Sequence, residues 1–217
     1  MDDRKFDQIA ANEWIATIEA EHSRVRENDL YPLLKKWAEM AAPQNILDLG
    51  CGQGVCSEKL GLQDFNYTGV DASTFLLERA KALYPQANKR FVAGNAYELP
   101  FREASFDAVF SIALWHLLED KAKAARELSR VLAQGGDFMI VAANPDFYEE
   151  WTKNYARSHR DGARFEGFTK LADGMESKDV LYLHSYDEIV ESLRHAGLEV
   201  KESAAFRTAL SIQGTKV

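Results

Sequence analysis

Apolar positions along the chain fall into two periods. From residue 5 to 27 they recur every three or four positions, as Phe6, Ala10, Trp14, Ile18, His22 and Val25, which predicts one helical stripe. A second helix is predicted over 30–41, with Pro32 in its first turn and Pro43 ending it. The period then shortens. NILDL (45–49), NYTGV (66–70), RFVAG (90–94), FDAVFSIA (106–113) and DFMIVAA (137–143) read as buried strands. Between them, helical patterns lie at 55–62, at 73–84 with Ser73 as cap, and at 116–132, the last stopped by Gly135 and Gly136. Residues 185–196 form another helical pattern, stopped by Gly197. LEVKES (198–203) and residues 208–217 then read as a hairpin at a sheet edge.

Strands apolar along their whole length, alternating with helices, predict a parallel sheet covered on both faces. The expected fold is α/β: a three-layer, doubly wound, Rossmann-like domain. Its sheet is mostly parallel and seven-stranded, with an antiparallel edge hairpin. One domain over 1–217 is expected, divided into a helical cap (1–42), a ligand-binding core (43–143), an irregular insertion or lid (144–184), and a C-terminal helix with edge hairpin (185–217).

Composition narrows the partners. The 217 residues carry a net charge of −8, and the pI is about 5.2. This disfavours bulk nucleic acid and anionic membrane surfaces. Neither a leader peptide nor an apolar run near the ~18 residues of a membrane span is read in the chain. Two cysteines, Cys51 and Cys56, are too few and wrongly spaced for structural zinc, and a cytoplasmic protein without a metal is expected. Their use as nucleophiles is disfavoured as well.

Chemistry concentrates after the strands. Open α/β sheets bind ligands at the carboxyl ends of their strands. Those ends carry GCGQG, then Asp71, then Asn95-Ala96-Tyr97, then Ser111 to His116, then Asn144-Pro145. A dinucleotide fingerprint would need glycine at position 55, where Val55 stands; the third glycine comes one residue early, at Gly54. Asp71 follows Gly50 by 21 positions, where a carboxylate can take both hydroxyls of a ribose. An adenosine compound other than NAD is the ligand this spacing predicts.

The segments ILDLGCGQG, YTGVDAS, GNAYELPF, SFDAVFSIALWHLLED and ELSRVLAQGGDFMIV together resemble the class I S-adenosylmethionine-dependent methyltransferases. The branch they resemble acts on small molecules and is similar to the quinone-biosynthesis enzymes. The resemblance runs over about 45–142, with the cap and the 182–200 segment matching less specifically. It implies S-adenosylmethionine as cofactor and S-adenosylhomocysteine as product. It places Gly50, Cys51 and Gly52 under the methionine and ribose, Asp71 on the ribose hydroxyls and Ala72 beside the adenine. Asn95 stands where an acid often meets the adenine amino group, with Ala96 and Tyr97 next to it. Ser111 and Ile112 would line the sulfonium side, and His116 and Leu117 its mouth.

Methyl transfer from a sulfonium asks mainly for alignment and exclusion of water. A base is needed only for an acceptor that must lose a proton, and His116 is the candidate, against a plain packing role. Trp14 and Tyr31 are candidates to cover the sulfonium with an aromatic face, against ordinary helix packing. His22 is read as a core histidine before a site residue. Asp48 is expected to anchor the backbone amides of the glycine loop, and Asp107 to be structural. Lys153, Arg157, Arg160 and Arg164 form a local basic run that either recruits an anionic acceptor or is a solvated loop. Phe147, Tyr148, Trp151, Phe165 and Phe168 either line a partly apolar acceptor pocket or pack a small subdomain. The acceptor is expected to be a small molecule. A macromolecular acceptor and a non-catalytic cofactor sensor are the other classes open, with a dehydrogenase more distant.

Overall fold

A computed structural model describes Ile15 and residues 26–61, 65–147, 155–170, 176–205 and 209–217. The helical stripe over 5–27, with Trp14 and His22, lies outside the described residues apart from Ile15 and Arg26-Glu27. Ile15 packs on Leu76 and Phe75.

A π-helical turn, Arg26–Leu30, leads into α1 (Tyr31–Ala41). The core follows as β1 (Asn45–Leu49), α2 (Cys56–Lys59), β2 (Asn66–Asp71), α3 (Thr74–Leu83), β3 (Lys89–Ala93), β4 (Phe106–Ile112), α4 (Lys121–Val131) and β5 (Leu132–Ala143). Three further strands, β6 (Arg157–Asp161), β7 (Arg164–Lys170) and β8 (Glu176–Tyr182), precede α5 (Tyr186–His195), β9 (Leu198–Ala205) and β10 (Ala209–Lys216).

The main sheet has seven strands in the order β3-β2-β1-β4-β5-β10-β9. β1 to β5 pair in parallel. β10 runs antiparallel between β5 and β9, so the hairpin's second strand lies inside and its first forms the edge. The chain leaves β1 outward through β2 and β3, then returns to β4 on β1's other side. This reversal makes the crevice at the carboxyl ends of β1 and β4, where open α/β sheets hold their ligands. Each face of the sheet has its own core. Leu47, Val109, Phe138, Ile140 and Ile212 meet α4 and α5 on one side. Ile46, Tyr67, Phe110, Met139 and Val141 meet α1 and Leu77 of α3 on the other.

Local chemistry sets the ends of the helices. Ser73 Oγ accepts the Leu76 N–H at 3.3 Å, as the sequence predicts for a cap. Ser185 and Glu188 form a capping box at the start of α5. The predicted 116–132 helix starts later than its apolar pattern. Trp115–Leu117 is a 3₁₀ turn, and Asp120 accepts the Lys123 N–H at 2.9 Å, so α4 begins at Lys121. It also ends earlier, at Val131, and Leu132 is already extended and paired with Phe106. The pair Gly135-Gly136 therefore lies inside β5, where the register to β4 shifts, and does not stop the helix. The helix predicted over 55–62 contracts to the single turn of α2.

The insertion differs most from expectation. It contains a regular antiparallel sheet in the order β6-β7-β8. Phe165, Leu181 and Leu183 form its small core, with Leu117 and Tyr155 packed against it. Phe165 is thus a packing residue, its ring 5.3 Å from that of Tyr155. Of the basic run, Lys153 lies outside the described residues, as do Tyr148 and Trp151, and the three arginines are engaged within this sheet. Arg157 lies 3.5 Å over the Phe168 ring, Arg160 donates to the Gly162 carbonyl at 2.9 Å, and Arg164 pairs with Glu166 at 2.5 Å.

Candidate active site

The turn after β1 is built from left-handed backbone, with φ of 81°, 53° and 79° at Gly50, Gly52 and Gly54. Gly54 is needed for a second reason: a Cβ there would stand 2.7 Å from the Phe91 ring. The early glycine lets the turn settle on β3. The Cys51 side chain sits on Gly69 of β2, where a Cβ would come within 2.7 Å of its sulfur. Cys51 is a wedge between turn and sheet; burial pushes both its thiol and that of Cys56 well up, out of the nucleophile's range.

β2 holds the loop's amides. The Val70 carbonyl accepts from Gly50 N–H at 2.8 Å and from Cys51 N–H at 3.0 Å. Asp71 Oδ2 accepts from Gly52 N–H at 2.8 Å, and its Oδ1 from Ser73 N–H at 2.8 Å. Burial raises the Asp71 carboxyl, and these backbone donors oppose the rise. Asp48 does not anchor the loop amides, contrary to expectation. It is buried and accepts the Tyr67 hydroxyl at 2.5 Å. Burial pushes Asp48 up to about 7, with Tyr67 lowering it and Asp71 raising it. Asp107 is structural as expected: it accepts the Asn45 N–H at 2.8 Å, fixing the start of β1.

A cleft opens at this turn, lined by Gly50, Cys51, Gly52, Ile112, Tyr31 and Arg26, among others. Four residues placed by the resemblance, Gly50, Cys51, Gly52 and Ile112, and two from the cap side meet there. Ile112 faces it; Ser111, on the other face of β4, is wholly buried, and its Oγ has no hydrogen-bond partner among the described residues. Tyr31 is buried, and burial with the nearby Cys56 pushes it up to about 12. One face of its ring is covered by Lys59 Nζ, 5.2 Å from the centroid. Arg26 and Gln53 were not singled out in the sequence. Arg26 lies at the end of the predicted 5–27 helix, outside its apolar stripe, and the π-helical turn carries it to the cleft. Gln53 is held by Arg79 of α3, whose Nε donates to Oε1 at 2.9 Å.

The adenine-side candidates lie beyond β2 and β3. Ala72 and Asn95 are exposed, and Asn95 Oδ1 accepts the Tyr97 N–H at 2.9 Å. Ala96 and Tyr97 pack on the core, and the Tyr97 hydroxyl accepts the Asp120 N–H at 3.2 Å. The segment behind them is clamped from α4. Arg130 donates to the Leu99 and Phe101 carbonyls at 3.0 and 2.8 Å, while Glu127 accepts the Leu99 N–H at 2.7 Å.

His116 lies in the 3₁₀ turn after β4. Burial and the Arg26 charge push it down to about 4, so its ring is neutral at pH 7. Leu117, next to it, packs against the insertion core. Among the described residues, no group of three His, Cys, Asp or Glu is placed to hold a metal ion.

Residues 47–140 match the model of the methyltransferase domain family. This stretch, under half of the 217 residues, carries a class I S-adenosylmethionine-dependent methyltransferase domain. Its cofactor is S-adenosylmethionine. A malonyl-[acyl-carrier protein] O-methyltransferase of Legionella pneumophila is 26% identical over 81% of this chain and 61% of its own length. A demethylmenaquinone methyltransferase of Thermotoga maritima is 29% identical over 78% of this chain and 76% of its own. Across curated relatives of this kind the chain spans from 43% to 76% of their length. A solved protein of Pyrococcus horikoshii shares the fold, with a TM-score of 0.77 over 92% of this chain and 93% of its own, at 21% identity.

The turn fits the family's cofactor. Its glycines leave backbone where side chains would stand, and Asp71, which the resemblance puts at the ribose, is held beside the turn by the Gly52 and Ser73 amides.

Proposed function

We propose that the protein transfers a methyl group from S-adenosylmethionine to a small-molecule acceptor. The observation that carries this reading is the cleft at the β1–β4 switch point, where the glycine turn, Ile112, Tyr31 and Arg26 converge. Bound S-adenosylmethionine supplies a methyl group on a sulfonium, ready for in-line displacement. The chain's own residues supply the rest. Gly50, Cys51 and Gly52 cradle the cofactor with backbone, Asp71 takes the ribose hydroxyls, and Ala72, Asn95, Ala96 and Tyr97 border the adenine. Arg26 is the cation among the described residues that line the cleft and would receive the carboxylate end. Ile112 excludes water from the reacting centre. His116, neutral at pH 7, can accept a proton from an acceptor that must lose one. The names of the relatives support a small acceptor of partly apolar character. The engaged arginines of the insertion favour the structural reading of the basic run over recruitment of an anion. Two free cysteines are in keeping with a cytoplasmic location. No helix among the described residues is long and apolar enough to cross a membrane.

The test is formation of S-adenosylhomocysteine in the presence of small phenols, hydroquinones, carboxylic acids and amines. Turnover with one class identifies the acceptor chemistry. Cofactor binding without turnover on any small molecule, but with turnover on RNA or protein, would overturn the small-molecule reading.

A further inference from the structure

His184 is one of the points where the insertion meets the turn carrying His116. It follows β8, precedes the cap of α5, and is 6% exposed. Its Nε2 lies 2.8 Å from the Leu118 carbonyl oxygen, and its Nδ1 lies 3.2 Å from Lys121 Nζ. These partners fix the tautomer. A carbonyl only accepts, so Nε2 carries the proton; an ammonium only donates, so Nδ1 must offer its lone pair. Only the neutral ring satisfies both. A second proton on Nδ1 would point an N–H at the Lys121 ammonium and break that contact.

The neighbourhood reinforces the junction. Tyr182 of β8 donates its hydroxyl to Glu119 at 3.2 Å and stacks on the His184 ring at 6.3 Å. Leu117 packs on Phe165, Leu181 and Leu183. Among the described residues, the charged and titratable groups around His184 are Lys121 of α4, Glu188 of α5, which pairs with Lys121 at 3.7 Å, and Tyr182 with its partners Glu119 and Arg164. Glu188 offsets part of the Lys121 charge and favours a charged ring, but it forms no hydrogen bond with His184.

We propose that His184 is a positioning residue for methyl transfer: through Leu118 and Lys121 it fixes the 115–120 turn and fastens the insertion to it, and its protonation, which breaks the Lys121 contact and keeps the Leu118 one, loosens turn and insertion together. The inference rests on the reading that His116 and Leu117 stand at the mouth of the site. Burial lowers the affinity of the ring for a proton in the folded protein. The latch is therefore complete above the ordinary histidine range and weakens as pH falls below about 6.5.

Hydrogen–deuterium exchange at pH 7.5 and 5.0, expressed as protection factors, tests this on the wild-type chain, His184→Gln and His184→Ala. Glutamine can donate to Leu118 and accept from Lys121 without titrating. In the wild type, protection of 115–120, 164–170 and 176–183 is expected to fall roughly tenfold at the lower pH. His184→Gln should retain it at both values. His184→Ala should lack it at both, and if that variant does not fold, the comparison of wild type with glutamine still decides. Wild-type protection that does not change with pH, or a glutamine variant that follows the wild type down, would overturn the proposal. Titration of all three with S-adenosylhomocysteine at pH 7.5 separates the two readings: no binding by any of them contradicts the cofactor site, whatever the latch does.

Discussion

Beneath the glycine turn, the Tyr67 hydroxyl donates to Asp48 Oδ2 at 2.5 Å, with both side chains buried. A buried hydrogen bond between two acidic groups thus joins β1 and β2 under the cleft. Tyr67→Phe removes the donor and leaves a buried carboxyl. The expected cost is about 1–3 kcal/mol of folding stability at pH 8, measured by urea denaturation.

The same pair sets a pH dependence. The Asp48 carboxyl, at about 7 in the fold against about 3.9 in the unfolded chain, binds its proton more tightly when folded. Its contribution is greatest at low pH and declines as pH rises from about 4 to 7. Asp48→Asn should remove this decline. Stability curves of the two proteins measured from pH 5 to 8 should converge toward acid and separate toward base, with the variant the more stable at pH 8.

Gly54→Ala places a methyl group 2.7 Å from the Phe91 ring on backbone at φ 79°. Overpacking and strain act together, and a loss of at least about 1–3 kcal/mol is expected. Unfolding midpoints with and without S-adenosylhomocysteine would show whether the turn's cofactor contacts fall with it.

The neutral ring of His116 predicts the shape of the activity profile. Its protonation lies near pH 4, so kcat/KM for an identified acceptor should show no histidine inflection between pH 6 and 8. If His116 serves as base, His116→Ala lowers kcat by roughly 10²–10⁴-fold. A loss below about tenfold assigns it to packing.

The core was legible because its strands are apolar throughout and end on small or polar residues. NILDL is buried from Ile46 to Leu49, and the turn after it has the left-handed glycines its spacing demands. The boundaries of α4 were not. Its apolar period runs on through Leu117 and Leu118, but Asp120 caps the helix three residues after the 3₁₀ turn, and side-chain capping overrides periodicity. β6, RSHRD, has no apolar residue and is exposed along its length, so only pairing with β7 makes it a strand. Arg26 gave no signal because its place at the cleft depends on a π-helical turn. Asp48 was misassigned because its partner, Tyr67, lies on the neighbouring strand.

The central claim is that the β1–β2 rim binds an adenosyl sulfonium cofactor through Asp71 and the glycine turn. Isothermal titration of the wild type and Asp71→Ala with S-adenosylmethionine and S-adenosylhomocysteine, with NAD as control, tests it most directly. The account predicts micromolar binding of both, on the order of −8 kcal/mol, at least a tenfold loss in the variant, and no binding of NAD. Binding of NAD alone, or equal affinity in wild type and variant, would contradict it.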